Sequence, residues 1–309
     1  MADSTSRPGL LDAARAAGID IREPALPVDR SYEASGLRFH CLDWGNLDRP
    51  PLLFLHGFAQ QAHSWDFVAL GLRDLCHVVS LDLRGHGDSG WPAAPDYRIS
   101  DYAIDVAAVI GAAGLRAPTV CGLSLGGRIA LMHAASAPLA TRALIVVDAG
   151  PSVAPAGRDR IRRFVESQQV FESFDELVAY TMRYTRRLRT EAQVRGSLRH
   201  ATRQTAEGKW TWKYDPRLRE RRPPDPEASE QRMWDALGRI RCPSLFVRGS
   251  ESDILTPEAL EQMHGAVPGS EVAVVERAGH LVPGDNPAGF VKAVRPFLQR
   301  VTSGRVPVA

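Results

Sequence analysis

Apolar positions along this chain follow two rhythms. Short runs near Leu37 to Trp44, Leu52 to Leu55, Val78 to Asp82, Thr119 to Cys121, Ala143 to Asp148, Ser244 to Arg248 and Val272 to Glu276 have the length and composition of strands. Several are continuously apolar rather than alternating, as expected for a parallel sheet buried on both faces. Between them lie longer stretches with helical spacing, such as Ser100 to Ala113, and a late helix opened by Asn286 with Pro287 at its first position. Strands alternating with helices predict an α/β architecture in which a mostly parallel sheet is covered on both sides.

The alternation breaks between Pro151 and Leu237, where the pattern turns helical and polar. This predicts a core made of residues 31–150 and 238–309, interrupted by a helical lid over 151–237. Within the lid, Phe174, Leu177, Val178, Thr181 and Met182 fall at helical spacing, and Ser173 with Glu176 reads as a capping box. Residues 1–30 form a leader in which Leu10 to Ala17 suggests a short helix; no function is assigned to it. The lid is also the basic part of the chain. Residues 158–222 carry 17 Lys or Arg against 9 Asp or Glu, which reads first as a solvated helix surface. A functional alternative gives one or two arginines, such as Arg186 or Arg187, the task of receiving an anionic substrate. Further on, Lys209 to Tyr214 alternates aromatic and polar residues, so that Trp210 and Trp212 share one face of an extended segment. They are candidates to wall an apolar substrate pocket.

Chemistry concentrates at Gly122-Leu123-Ser124-Leu125-Gly126, which follows an apolar strand and opens a helix. A strand-to-helix turn this sharp needs near side-chain-free residues two before and two after the serine, and it presents Ser124 to the pocket side. A serine hydroxyl needs a base to take its proton and a carboxylate to orient that base. His280, in Ala278-Gly279-His280 just after the last apolar strand, is the candidate base. The loop Gly249-Ser250-Glu251-Ser252-Asp253 follows the preceding strand and leads into a helix capped by Thr256, so Asp253 is the favoured acid. Glu251 and Asp148, the latter ending the strand Ala143 to Val147, compete with it.

These segments together resemble the α/β-hydrolase superfamily, in its branch with a serine nucleophile and a cap domain. The resemblance spans roughly residues 31–150 and 238–302. Leu52 to Phe58 is similar to the family's strand ending in a His-Gly turn, and Asp82-Leu83-Arg84-Gly85-His86-Gly87-Asp88-Ser89 to the turn that braces the pocket loop. The resemblance implies a sheet of about eight strands. It also implies an oxyanion hole built from the backbone N–H groups of Phe58 and Leu125, a structural role for His56 and His86, and catalysis without metal or organic cofactor. A serine rather than an aspartate at the elbow disfavours the dehalogenase and epoxide hydrolase branches.

Gly85-His86-Gly87-Asp88-Ser89-Gly90 also matches a dinucleotide-binding glycine pattern, but Pro92 and Pro95 prevent the helix such a site requires. The chain has 309 residues, 44% of them hydrophobic, and a formal net charge of +2, so nothing global calls for nucleic acid. No stretch approaches the length of a membrane span, and Met1 to Arg7 lacks the apolar core of a secretory signal. Cys41, Cys76, Cys121 and Cys242 have no metal-ligand spacing and read as small buried hydrophobes of a reducing, cytoplasmic setting.

The expectation is a hydrolase of a carboxylic ester or lactone of a small molecule, acting through an acyl-enzyme. A carbon-carbon bond hydrolase of a diketone-type substrate and a slow-turnover small-molecule receptor are the alternatives. Cofactor-free haloperoxidase or perhydrolase chemistry is the side reaction that sites similar to this one imply.

Overall fold

A computed structural model describes residues 8–183, 189–220 and 226–303. In chain order its elements begin with α1 (Pro8–Ala16), β1 (Val28–Ala34), β2 (Leu37–Asp43), β3 (Pro51–Leu55), α2 (Asp66–Leu72), β4 (His77–Leu81), α3 (Ile99–Ala112), β5 (Thr119–Leu123), α4 (Leu125–Ser136) and β6 (Ala143–Val147). The segment between β6 and the next strand of the main sheet holds α5 (Pro155–Val165), β7 (Val170–Phe171), α6 (Phe174–Met182), α7 (Glu191–Ala201), β8 (Thr202–Gln204), β9 (Trp210–Trp212) and α8 (Pro226–Leu237). The chain then returns with β10 (Ser244–Gly249), α9 (Pro257–Ala266), β11 (Glu271–Val275), α10 (Val282–Asp285) and α11 (Pro287–Thr302).

Eight strands form one sheet in the order β1-β2-β4-β3-β5-β6-β10-β11. The pairings β1–β2 and β2–β4 are antiparallel, and all others are parallel. Because side chains alternate across a strand, each continuous apolar run feeds two cores at once. In β3, Leu53 and Leu55 point into one buried cluster while Leu52 and Phe54 point into the other. Strand β6 does the same, with Leu144 and Val146 opposed to Ile145 and Val147. This two-sided burial is why the runs lack polar positions.

The leader is not a detached tail. Ala14 and Ile19 are buried in the cluster that also contains Trp65, Phe290 and Val294. Strand β1 extends across residue 30, so residues 28–30 belong to the sheet. Its exposed, polar edge pattern explains why hydrophobicity did not reveal it.

The lid region also departs from an all-helical expectation, since β7, β9 and β8 form a small antiparallel sheet with the Trp-Thr-Trp segment in its centre. Helix α6 matches its apolar spacing. Ser173 caps it by accepting from Glu176 N–H at 3.1 Å, whereas Glu176 reaches back to the N–H of Glu172 rather than Ser173, so the box is only half closed. Arg186 and Arg187 lie outside the described residues. No helix among the described residues is long and apolar enough to cross a membrane.

Candidate active site

The turn between β5 and α4 places Ser124 at φ 54° and ψ −112°, a conformation costly for a residue with a side chain. The flanking glycines make it possible. A Cβ on Gly122 would lie 2.1 Å from the Gly126 carbonyl oxygen, and one on Gly126 would lie 2.3 Å from that of Leu55. The Ser124 Oγ lies 2.9 Å from Nε2 of His280, which sits between β11 and α10.

The third member differs from the expectation. His280 Nδ1 lies 2.7 Å from Oδ2 of Asp148, at the end of β6, and not against Asp253. Asp148 is completely buried. Its positive φ of 46° turns the side chain back beneath the histidine, while its own N–H bonds to the Val247 carbonyl at 2.7 Å. Ser252 Oγ donates to the same Oδ2 at 2.6 Å, and Gly249 N–H approaches Oδ1 at 3.4 Å. The loop after β10 therefore contributes a hydroxyl where Asp253 was expected to contribute a carboxylate. Asp253, one residue further, turns away and pairs with Arg160 of α5 at 2.7 Å. Glu251 is exposed.

The proton positions on His280 follow from its partners. A carboxylate offers only lone pairs, so Nδ1 carries hydrogen toward Asp148 and Nε2 presents its lone pair to the Ser124 hydroxyl. That is the arrangement a general base requires.

Phe58 lines the same cavity as Ser124, and Leu125 directly follows the serine in the chain. Phe58 follows Gly57 at the end of β3, and among the described residues its N–H makes no hydrogen bond. Leu125 is the first residue of α4, where an N–H has no acceptor within the helix. Gly57 N–H is held by the side chain of Gln60 at 2.8 Å, which shapes this loop.

The surrounding turns are structural in the described geometry. Leu83 N–H donates to Nε2 of His56 at 3.0 Å, so His56 donates from Nδ1 to the Gly57 carbonyl at 2.8 Å and ties the β3 and β4 loops together. Burial pushes its pKa down. His86 is pushed down to about 3, mainly by burial and then by proximity to His56. Asp82 gathers the N–H groups of Ala62 at 2.6 Å and Asp88 at 2.9 Å, with His40 Nδ1 at 2.8 Å. Burial alone would push its carboxyl up, yet His40, His56 and the backbone donors hold it below the usual carboxylate range. A Cβ on Gly87 would lie 2.2 Å from that carboxylate, so only glycine fits. His40, Asp82 and Asp88 bring potential ligand atoms within 4.8 Å of one another, but Asp88 is paired with Lys213 at 2.6 Å and the other two brace the turn.

Ser124 and His280 open into a cavity of about 300 Å³, mostly apolar and walled in part by the 151–237 segment, with Phe58, Phe164, Leu198 and Trp212 among its lining. Trp212 lies in its wall. Trp210 does not line it and instead packs on Phe174, with ring centroids 4.9 Å apart. Two arginines also line the cavity, Arg160 and Arg189, neither singled out by the sequence pattern.

The sequence profile of the alpha/beta hydrolase family matches residues 52–293. The chain is 29% identical over 296 residues to an esterase of Mycobacterium tuberculosis, an alignment covering 94% of each protein. The crystal structure of that esterase superposes with a TM-score of 0.74, covering 94% of this chain and 96% of the other at 29% identity. A 3-hydroxybutyrate-oligomer hydrolase of Cupriavidus necator is 30% identical over 289 residues, covering 89% of this chain and 98% of that protein. With the fold, the serine elbow and these similarities in agreement, the chain belongs to the alpha/beta hydrolase family of enzymes.

Proposed function

We propose that the protein is a serine hydrolase that cleaves a carboxylic ester of a small molecule through an acyl-enzyme. One observation carries this reading: an unbroken hydrogen-bonded relay from Ser124 through His280 to the buried Asp148, opening on a cavity of small-molecule size. Ser124 Oγ attacks the ester carbonyl as His280 Nε2 takes its proton, and Asp148 holds the imidazole and stabilises the imidazolium that forms. The Phe58 and Leu125 N–H groups receive the oxyanion, a contribution of about 3 kcal/mol per donor in sites of this kind. His280 then protonates the departing alkoxide, and water, deprotonated by the same histidine, releases the acid and restores Ser124. Trp212 acts as a wall of the substrate pocket.

The esterase and the oligomer hydrolase among its relatives support ester chemistry over the carbon-carbon and receptor alternatives. A cytoplasmic setting is supported by four free cysteines, three of them buried, whose thiols burial holds in the protonated form. The reading is tested by turnover of p-nitrophenyl esters from acetate to octanoate. Release that disappears in Ser124→Ala supports it; release that survives the substitution, or none from any ester by folded wild-type protein, rejects it.

A further inference from the structure

Arg189 stands between α6 and α7 and extends into the cavity that holds Ser124 and His280. Its guanidinium packs against α10, the turn directly after the histidine: Cζ would lie 3.7 Å from a Cβ placed on Gly284. A guanidinium has five N–H donors. Among the described residues this one makes a single hydrogen bond, from Nη2 to the Gln193 carbonyl at 3.3 Å, and its Nε is buried without a partner. Burial lowers its pKa, against a weaker opposing influence from Asp285. Arg189 is half-buried, and leaving a guanidinium with a desolvated, unmatched Nε is costly unless something completes it.

The neighbouring ionisable groups have other engagements. Arg160 is paired with Asp253 at 2.7 Å. Asp285 accepts the Gly279 N–H at 3.0 Å, and burial pushes its carboxyl up despite that bond and the nearby Arg189, His280 and Arg160. Among the described residues, then, Arg189 has donors left unmet, and it lines the same cavity as the nucleophile.

We propose that Arg189 anchors a carboxylate on the substrate, so that the ester cleaved in this cavity carries a free acid group on a short chain. This rests on the ester-hydrolase reading of the site and adds the charge of its substrate. The planar fork of a guanidinium matches a carboxylate through two parallel hydrogen bonds. With Asp285 beside it, a singly charged group meets less repulsion there than a phosphate dianion. A volume of about 300 Å³ is at the small end for ligand pockets, which suits a short chain.

The experiment compares mono-p-nitrophenyl glutarate with p-nitrophenyl pentanoate. Wild type is expected to favour the glutarate hemi-ester by about tenfold or more in kcat/KM, and Arg189→Met to reduce that ratio to less than about threefold, with Arg189→Lys between them. A wild type without preference, or a preference that survives in Arg189→Met, overturns the proposal. Binding of monomethyl glutarate and dimethyl glutarate to Ser124→Ala protein, by calorimetry with and without the Arg189 substitution, separates this from the hydrolytic reading. Preferential, Arg189-dependent binding of the monoanion upholds the anchor even if no ester is cleaved. Equal binding of both compounds rejects it even if esters are cleaved. Should Arg189→Met fail to fold, Arg189→Lys carries both comparisons, because an ammonium cannot reproduce the paired contact.

Discussion

Asp148 and His280 are separated by 132 residues, yet the carboxylate of one lies 2.7 Å from the imidazole of the other. The acid stands at the end of β6, next to the β10 loop, and that loop supplies Ser252 rather than Asp253 to the contact. Ser252 Oγ also accepts from Ile254 N–H at 3.1 Å, so one hydroxyl both steadies the acid and shapes the loop.

Replacing the two aspartates should separate them clearly. Asp148→Asn is expected to lower kcat by about 10³ to 10⁴, because an amide no longer fixes the histidine tautomer. Asp253→Asn removes an ion pair with Arg160 and should change kcat less than about tenfold, within what one partly exposed pair contributes. Kinetics on a p-nitrophenyl ester decide; a crippled Asp253→Asn alongside an active Asp148→Asn would return the role to Asp253.

Gly126→Ala tests the elbow sterically. The added methyl would meet the Leu55 carbonyl oxygen at 2.3 Å, and a backbone atom in a central strand cannot step aside cheaply. The expected cost exceeds about 3 kcal/mol, read as a lower urea midpoint or as loss of soluble protein. A midpoint within experimental error of wild type would mean that the strand and helix are less closely apposed.

Acid stability should depend on His86. Its folded pKa is about 3 against an ordinary value of 6.5, so the unfolded chain binds the extra proton first. Stability from keeping His86 neutral is complete above pH 6.5 and falls as pH drops toward 3, by up to about 1.4 kcal/mol per pH unit. His56, also depressed, acts in the same direction. His40 acts oppositely: its pKa is raised by Asp82 and Asp29 against burial, so its contribution is present below 6.5 and fades as pH rises through the folded value. Urea unfolding between pH 7.5 and 4.5 should therefore give a shallower decline for His86→Phe than for wild type. Equal slopes would refute the assignment.

The two lid tryptophans should behave differently. Trp212 lines the cavity beside Phe164, so Trp212→Ala should move the preferred acyl length toward longer esters. Trp210 packs on Phe174 outside the cavity, and Trp210→Ala should lower thermal stability while leaving the chain-length profile in place. The same shift in both variants would mean that the small sheet moves as a unit.

Local signals carried most of the fold and the serine. Apolar runs marked seven of the eight main-sheet strands; those in β3 and β6 were unbroken, because a strand buried on both faces has no polar position to obscure it. The glycine spacing around Ser124 was legible because the turn tolerates nothing larger. His280 was legible from its place after the last strand, since parallel sheets collect their chemistry at strand ends. Strand β1 was missed because its residues are mostly exposed and its pairing is with β2 rather than with the core.

The acid, the pocket arginines and the inner tryptophan were decided only by tertiary structure. Asp148 and Asp253 both follow core strands, and local pattern cannot say which carboxylate turns toward a histidine contributed by a third loop. The left-handed backbone of Asp148 and the donation from Ser252 settle that, and both depend on β6 and β10 being neighbours in the sheet. Likewise, an arginine of the 151–237 segment reads as surface until the fold places Arg189 in the wall of the cavity that holds Ser124. Sequence alone determined which residue types were available and on which elements they lie. Contacts across more than 100 residues chose among them, because burial and hydrogen-bond partners belong to the assembled fold and not to any one segment.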